Sequence, residues 1–569
     1  MLKFIVSLFS LHNTRSWILS VITIILPWAL FSYFLFYRNI IFYDPFSINI
    51  FLIEGIVALI LLLFTRSMGA SILVFYSIQV APFILYYFLH RGIVYNDIYN
   101  LTGLISTLTA PMKVGLSLFV IIPLFLTIFC NIKKYSLKLL LVQLLVGSFL
   151  ITGWYNPESS LAIIFSKQPK TESFNLSAAF RYEEVLYSLL FSMLDTRTFN
   201  NNLQSVPTIK NYNDFRSFKI GQFERRNIYV IILESFADPF DFNNIINEQE
   251  ILNPIWQQWR EEGTFIAMSP VQGGGSVQAE FELLCGVPSF MKYGYEYNRL
   301  GMNEIPCLPS YLKKYGYTTI GSQALYGSFF NIRNAYTSLG FEEIWLAEEL
   351  DMTDDVGGWL TDESFFKQHL DRLAPYVKNG MPIFDFITAL GCHGRPVIPS
   401  IPSQQRIYFE PSRVLESFLN CFLSSIDLAV GYVGKIMELD PNGIFIIVPD
   451  HPPPVAITHL REAGLKQLQS YPDDSNIPSK GFYMSTTPFS FPKHIAYYEL
   501  PELLVDILSD GRLCKSINCW SNGEYLNHKG RVIRRSNFAT IEMDPTSMHE
   551  YHEKINRALI KESVFGRIN

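Results

Sequence analysis

A bundle of five transmembrane helices followed by an extracytoplasmic α/β domain with a mostly parallel central sheet is the fold class this sequence predicts. Three observations carry that expectation. Apolar runs crowd the first 155 residues of the 569-residue chain and thin out afterwards. Continuous β-branched runs then recur, several ending on a polar or acidic residue. Stretches of helical character lie between them, an alternation that produces parallel strands joined by helical crossovers.

The membrane part comes first in the chain. Apolar segments at about Trp17–Tyr37, Ile48–Phe64, Ala70–Leu89, Val114–Cys130 and Leu137–Trp154 each approach the ~20 residues that cross a bilayer core. Glu54, inside the second, is expected to face other helices or lie near an end. Lys3, Arg15, Arg66, Lys133, Lys134 and Lys138 mark one side of the membrane, and Arg38, Arg91 and Lys113 the other. The bias places the N-terminus in the cytoplasm and everything after Trp154 outside it. The first span lacks a small-residue cleavage site and reads as retained. The expected units are a five-span domain over 1–155, connector helices over 156–215, a catalytic α/β domain over 216–525 and a tail over 526–569 with an amphipathic helix near Met548–Val564.

The runs "RNIYVIILES" (226–235), "YTTIGS" (317–322), "IFDFITAL" (383–390) and "GIFIIVPD" (443–450) suit strands buried on both faces. Helical stretches at Ser364–Val377 and Ser412–Leu439 separate them. A net charge of −6 argues against a nucleic-acid partner, which would call for a basic face. Six cysteines follow the membrane part. Cys514 and Cys519 are close enough to close a small loop, and Cys285 with Cys307 is a looser pairing. The alternative is that most are small buried apolar residues.

Ligands of open α/β sheets gather beyond the carboxyl ends of the strands. Glu234 ends the first run, and Asp450 and His451 end the last. Two carboxylates and an imidazole suit zinc or manganese. "QGGGSVQAEF" (272–281) offers Ser276 for a fourth position. Metal contact would turn its hydroxyl into a nucleophile at neutral pH. Gly273, Gly274 and Gly275 would permit an unusual backbone and leave room for a phosphate. A helix over Gln278–Cys285 would favour an anion beside Ser276. Any one of these residues alone is more often a cap, a turn or a loop.

Taken in order, "NIYVIILES", "GGGSVQAEF", "FFNIRNAYTSLGF", "GGWLTDESFF", "TALGCHG" and "VPDH" resemble the lipoteichoic acid synthase and phosphoglycerol transferase family, membrane-anchored members of the sulfatase-like alkaline phosphatase superfamily. The resemblance implies one divalent metal, manganese first with zinc or magnesium as alternatives, held by Glu234, Ser276, Asp450 and His451. Serine stands where the family usually has threonine. The resemblance also places His393 near the substrate phosphate, able to donate to its oxygens or to protonate a leaving group, and Arg333 in the segment that meets the substrate. Trp359 and Asp362 read as structural. Gln323 stands where members that transfer glycerol phosphate often carry histidine, and Phe330 where a tryptophan is common; both positions touch the head group in the family.

The implied activity moves a phosphoglycerol head group from phosphatidylglycerol, or a similar phospholipid, to an envelope glycan or glycerol-phosphate acceptor through a Ser276 intermediate. The enzyme would sit in the cell membrane with its catalytic domain outside. A phosphoethanolamine transferase is the nearest alternative. A sulfatase would need a Cys/Ser-x-Pro-x-Arg motif, and "CGVPS" at 285–289 lacks both the spacing and the arginine. A non-catalytic membrane sensor is the remaining alternative. The basic stretch "HKGRVIRRS" (528–536) reads as a solvated face or as a contact for anionic lipid head groups.

Overall fold

In the computed structural model the described residues are 214–219 and 225–566, other than 246–252, 291–295, 328, 355–358, 394–406, 471–476, 487–488, 529–530 and 542–545, together with Ala58, Val206 and Tyr212. Ala58 apart, they fall in one compact unit that contains Asn200–Asn569. Ala58 apart, the five expected spans lie outside the described residues, as does nearly all of the connector.

The sheet is built from β1 (Ile228–Leu233), β2 (Thr264–Met268), β3 (Thr318–Gln323), β4 (Glu343–Trp345), β5 (Ile383–Ala389), β6 (Ile444–Pro449), β7 (Ser479–Ser485) and β8 (His494–Ala496). Their spatial order is β4-β3-β5-β1-β6-β7-β2-β8. Only β7 runs against the others, pairing antiparallel with β6 and β2. This is a mostly parallel α/β arrangement. β1 lies at its middle with every residue buried. Each isoleucine taken out of water there contributes about 1.5–3 kcal/mol. Register matters for function: Leu233 pairs with Ala389 of β5 on one side and Pro449 of β6 on the other. The residues that follow these three strands therefore emerge side by side.

The helices are α1 (Pro254–Glu262), α2 (Ser276–Cys285), α3 (Ile332–Leu339), α4 (Asp362–Lys378), α5 (Arg413–Leu439), α6 (Leu500–Leu508) and α7 (Thr546–Phe565), with shorter turns between them. Local chemistry sets their starts. Thr361 caps α4 by accepting from the Ser364 amide at 3.3 Å, and Ser412 caps α5 by accepting from Leu415 at 3.2 Å, each satisfying an otherwise orphaned donor. Among the described residues, α5 alone is long and apolar enough to cross a membrane. It is largely buried, and its Tyr432 stacks on Phe366 of α4 at 4.5 Å between ring centroids. That packing makes it a core helix.

The chain after 525 is woven into this unit. β9 (Tyr525–His528) and β10 (Arg531–Arg534) form a hairpin extended by β11 (Thr540–Ile541). Arg535 of the basic stretch makes a two-toothed ion pair with the buried Glu499, both bonds at 2.7 Å. In α7, Asn556 donates to the Pro288 carbonyl at 3.1 Å. Cystines join Cys285–Cys307, Cys392–Cys421 and Cys514–Cys519. All six cysteines after the membrane part are thus paired, which replaces the reading of most of them as small buried hydrophobes. The Cys392–Cys421 link joins segments 29 residues apart and has no signature in the spacing.

Glu502 of α6 is buried, and its carboxyl is pushed up to about 8, first by burial and then by the neighbouring Glu499. A carboxyl raised on folding binds more protons in the native state than in the unfolded one, so stability falls as pH rises through the interval from about 4.5 to about 8. Glu502→Gln is expected to flatten the decline of Tm over that interval, as read by thermal melts at several pH values.

Candidate active site

The glycine run fixes where Ser276 sits. Gly273, Gly274 and Gly275 take φ of 69°, 114° and 84°, a left-handed sequence that other L-residues resist. A Cβ on Gly273 would lie 3.0 Å from the Cβ of Pro454. The turn hands over directly to α2, which begins at Ser276 and not at the expected Gln278. Ser276 is half-buried and so accessible, in the first turn of the helix.

Register brings the other groups to it. Glu234 follows β1, and Asp450 and His451 follow the adjacent β6. One ligand atom of each lies within 4.8 Å of the others, and all three side chains are buried. The Ser276 hydroxyl donates to Glu234 Oε2 at 3.3 Å. The Gly274 amide donates to His451 Nε2 at 2.8 Å. The glycine turn is thereby tied to the ends of both strands.

The arrangement fits a divalent cation. His451 Nδ1 lies 2.9 Å from the Pro452 carbonyl, which fixes the proton on Nδ1 and leaves Nε2, the acceptor of the Gly274 amide, as the ring nitrogen beside the carboxylates. Nε2 is 3.1 Å from Asp450 Oδ2 and 3.6 Å from Glu234 Oε1. Asp450 Oδ2 is buried with no hydrogen-bond donor. Among the described residues, no lysine or arginine pairs with Glu234 or Asp450. Burial, and then the Asp450 charge, push the Glu234 carboxyl well above its ordinary range. Two facing carboxylates, one orphaned oxygen and an oriented imidazole make a site short of positive charge.

Ser235, which the sequence reading did not single out, orders this set. It adopts a left-handed φ of 52°, strained for a serine. Its amide donates to Asp450 Oδ1 at 2.7 Å and its hydroxyl to Glu234 Oε1 at 2.8 Å. One oxygen of each carboxylate is thus engaged, leaving Asp450 Oδ2 and Glu234 Oε2 toward Ser276 and His451. Ser235→Ala is expected to weaken Mn2+ binding by about 10–100-fold in a titration, with little change in Tm.

His393 lies beyond β5 on the same sheet edge. Its segment is anchored: Asp362 Oδ1 accepts from the amides of Leu390 and Gly391, both at 2.9 Å. Burial pushes the Asp362 carboxyl up to about 6, against those two hydrogen bonds. Trp359 meets the His393 ring edge-on at 4.9 Å, and the Cys392–Cys421 link holds the neighbouring residue. Gln323 ends β3 with its amide donating to Tyr336 Oη at 3.0 Å. Phe330 and Asn331 both take positive φ, 48° and 60°, and Phe330 packs on Phe329 at 4.5 Å. Arg333 is half-exposed and pairs with Glu349 at 2.8 Å and Glu348 at 3.1 Å. The structure thus gathers Glu234, Ser276, Asp450 and His451 in one cluster. His393 and Gln323 stand at neighbouring strand ends, and Arg333 bonds to its own acidic partners.

Residues 226–479 match the family model described as Sulfatase. The chain is 26% identical over 249 residues to a Rhizobium meliloti protein named for cyclic beta-1,2-glucan modification, covering 42% of this chain and 38% of that one. It is 29% identical over 187 residues to the lipoteichoic acid synthase of Staphylococcus saprophyticus, covering 30% and 27%. The chain therefore spans well under half the length of either relative. Among solved structures, the lipoteichoic acid synthase LtaP from Listeria monocytogenes matches 65% of this chain and 97% of its own, at 14% identity and a TM-score of 0.47. Residues 226–479 thus form a Sulfatase domain, and that span holds the β1 and β6 strand ends and the glycine turn.

Proposed function

We propose that the chain is a membrane-anchored, metal-dependent phosphotransferase. It moves a phosphoglycerol head group from phosphatidylglycerol to an envelope glycan or polyglycerol-phosphate acceptor. The observation that carries this reading is the meeting of an accessible serine hydroxyl with two buried carboxylates and an oriented imidazole at one sheet edge.

Glu234, Asp450, His451 and the Ser276 hydroxyl would hold the cation, with manganese suited to an oxygen-rich set completed by one imidazole. When bound, a divalent ion lowers the pKa of the serine hydroxyl and offsets charge on the transferring phosphoryl oxygens. Ser276 Oγ, its proton released to solvent, attacks phosphorus, the bond to the diacylglycerol oxygen breaks, and protonated His393 supplies the proton that oxygen takes up. A phosphoglycerol ester of Ser276 remains. The acceptor hydroxyl then attacks phosphorus, the bond to Ser276 Oγ breaks, and the acceptor's proton passes to His393. Backbone amides at the start of α2 face the anionic group. Gln323 and Phe330 border the head group.

Three cystines support an oxidising, extracytoplasmic setting for this domain. The five apolar segments before it support a multi-pass anchor with a cytoplasmic N-terminus, which keeps the domain near its lipid donor. The test is incubation of the full-length chain with head-group-labelled phosphatidylglycerol and phosphatidylethanolamine in parallel. Diacylglycerol release from phosphatidylglycerol alone is expected. Release from phosphatidylethanolamine alone would reassign the donor, and release from neither would end the assignment of a phospholipid donor.

A further inference from the structure

The aim of Ser276 depends on how α2 is held, and the bonds from Gly274 to His451 and from Ser276 to Glu234 fix only its first residue. The entry is three glycines in left-handed conformations, and Gly275 offers no side chain to cap the helix. The direction of the helix is set farther along. Two polar residues of α2 bind the loop that follows it. Gln278 exchanges hydrogen bonds with Glu296, and Glu282 accepts from the Ser289 amide at 2.8 Å.

Glu280 serves a different part of the fold. It lies one helical turn beyond Ser276, fully buried. Its Oε1 accepts from the Thr388 hydroxyl at 3.0 Å, and its Oε2 from Tyr297 at 3.1 Å and Tyr336 at 3.2 Å. Thr388 belongs to β5, which leads into His393. Tyr336 belongs to α3 and itself accepts from Gln323 at the end of β3. Gln323 and Thr388 are partners in the β3–β5 register. A single carboxylate thus reaches both strand ends that border the substrate side. No lysine or arginine pairs with it among the described residues. An apolar side chain would fill the same space without the cost of burying a charge, so its presence calls for a reason other than stability.

We infer that Glu280 is a positioning residue: it clamps the helix bearing Ser276 to the carboxyl ends of β3 and β5, setting the nucleophile against the groups that meet the substrate. Three hydroxyl donors on one carboxylate form a directional network that packing alone does not supply. Glutamine at this position keeps the shape but removes an acceptor. Its Nε2 would face hydroxyls that now donate, and the clamp would relax by fractions of an ångström. Attack geometry is sensitive on that scale, whereas Glu234, Asp450 and His451, the cation ligands on other elements, keep their places.

The inference rests on the phosphotransferase reading, and its test separates the two. Glu280→Gln is compared with wild type and with Glu502→Gln, a buried carboxyl on α6 with no bond to this network, in the full-length chain. The readouts are kcat and KM for the lipid donor, the Mn2+ dissociation constant and Tm. Glu280→Gln is expected to lower kcat by about tenfold or more while KM and Mn2+ affinity stay within about twofold. Its Tm should fall no further than that of Glu502→Gln, whose kcat matches wild type. Tyr336→Phe, which removes one of the three donors, should lower kcat in the same direction by less. A kcat for Glu280→Gln within about twofold of wild type overturns the inference. So does a loss that travels with equal losses of Mn2+ affinity and Tm, which would make Glu280 a structural residue only. If the wild-type chain turns over neither phospholipid, the donor assignment fails by itself. The same comparison on bis(4-nitrophenyl) phosphate then decides Glu280, and inertness there overturns both.

Discussion

Ser276→Ala is expected to lower the turnover of the lipid donor by at least ~10³-fold while leaving the fold intact, because removal of a nucleophile eliminates the covalent route entirely. The structure explains why the loss should be selective. Ser276 is half-buried and makes one side-chain hydrogen bond, to Glu234 at 3.3 Å. Its deletion therefore costs little stability. The glycine turn remains tied to His451 through the Gly274 amide, so the neighbouring ligands keep their places. Steady-state assays with a thermal melt on the same sample check this. Turnover near the wild-type level would remove Ser276 from the chemistry. An inactive variant with a collapsed Tm would show that the residue holds the fold.

Chelation of the metal is expected to have the second-largest effect, abolishing turnover and lowering Tm together. Glu234 and Asp450 are buried beside each other, bridged by Ser235 and His451 with no lysine or arginine paired to them among the described residues, so a cation offsets their repulsion. Binding restricted to the folded state stabilises it by about 2.7 kcal/mol when free metal is about 100 times Kd. That corresponds to a few degrees for a domain of this size. The pH dependence has a definite sign. Glu234 takes up protons more readily than an ordinary carboxyl because of its burial and Asp450, and protons compete with the cation. Mn2+ affinity should therefore rise with pH and flatten once Glu234 is ionised in the free protein. Glu234→Gln should remove both the affinity and most of its pH dependence. Melts and calorimetric titrations with and without chelator, across pH, measure all of this.

How much of this was legible along the chain follows from what each residue has to do. β1, β5 and β6 are buried on both faces, so their residues form continuous apolar runs. Their carboxyl ends then located Glu234, Asp450 and His451 without knowledge of the sheet order. β7, "SKGFYMS", and the three-residue β8 carry no such run and went unread. Both depend on strands far away in sequence. The α4 and α5 stretches, expected over Ser364–Val377 and Ser412–Leu439, were visible to within a residue or two, and Thr361 and Ser412 cap their observed starts. Ser235 was invisible, since its importance lies in a backbone angle and two bonds that exist only once β1 and β6 are side by side. Glu280 left one trace, an acid four residues after Ser276 in an apolar stretch, but its three hydroxyl partners come from positions 297, 336 and 388. The Cys392–Cys421 pairing is likewise a product of tertiary packing, in which β5 and α5 set the distance between the two sulfurs.

The most direct measurement is anomalous X-ray scattering from crystals of the full-length chain grown with Mn2+. One anomalous peak is expected, bonded to Glu234, Asp450, His451 and the Ser276 oxygen together. A peak elsewhere, or none among these four at saturating Mn2+, would contradict the account at its foundation.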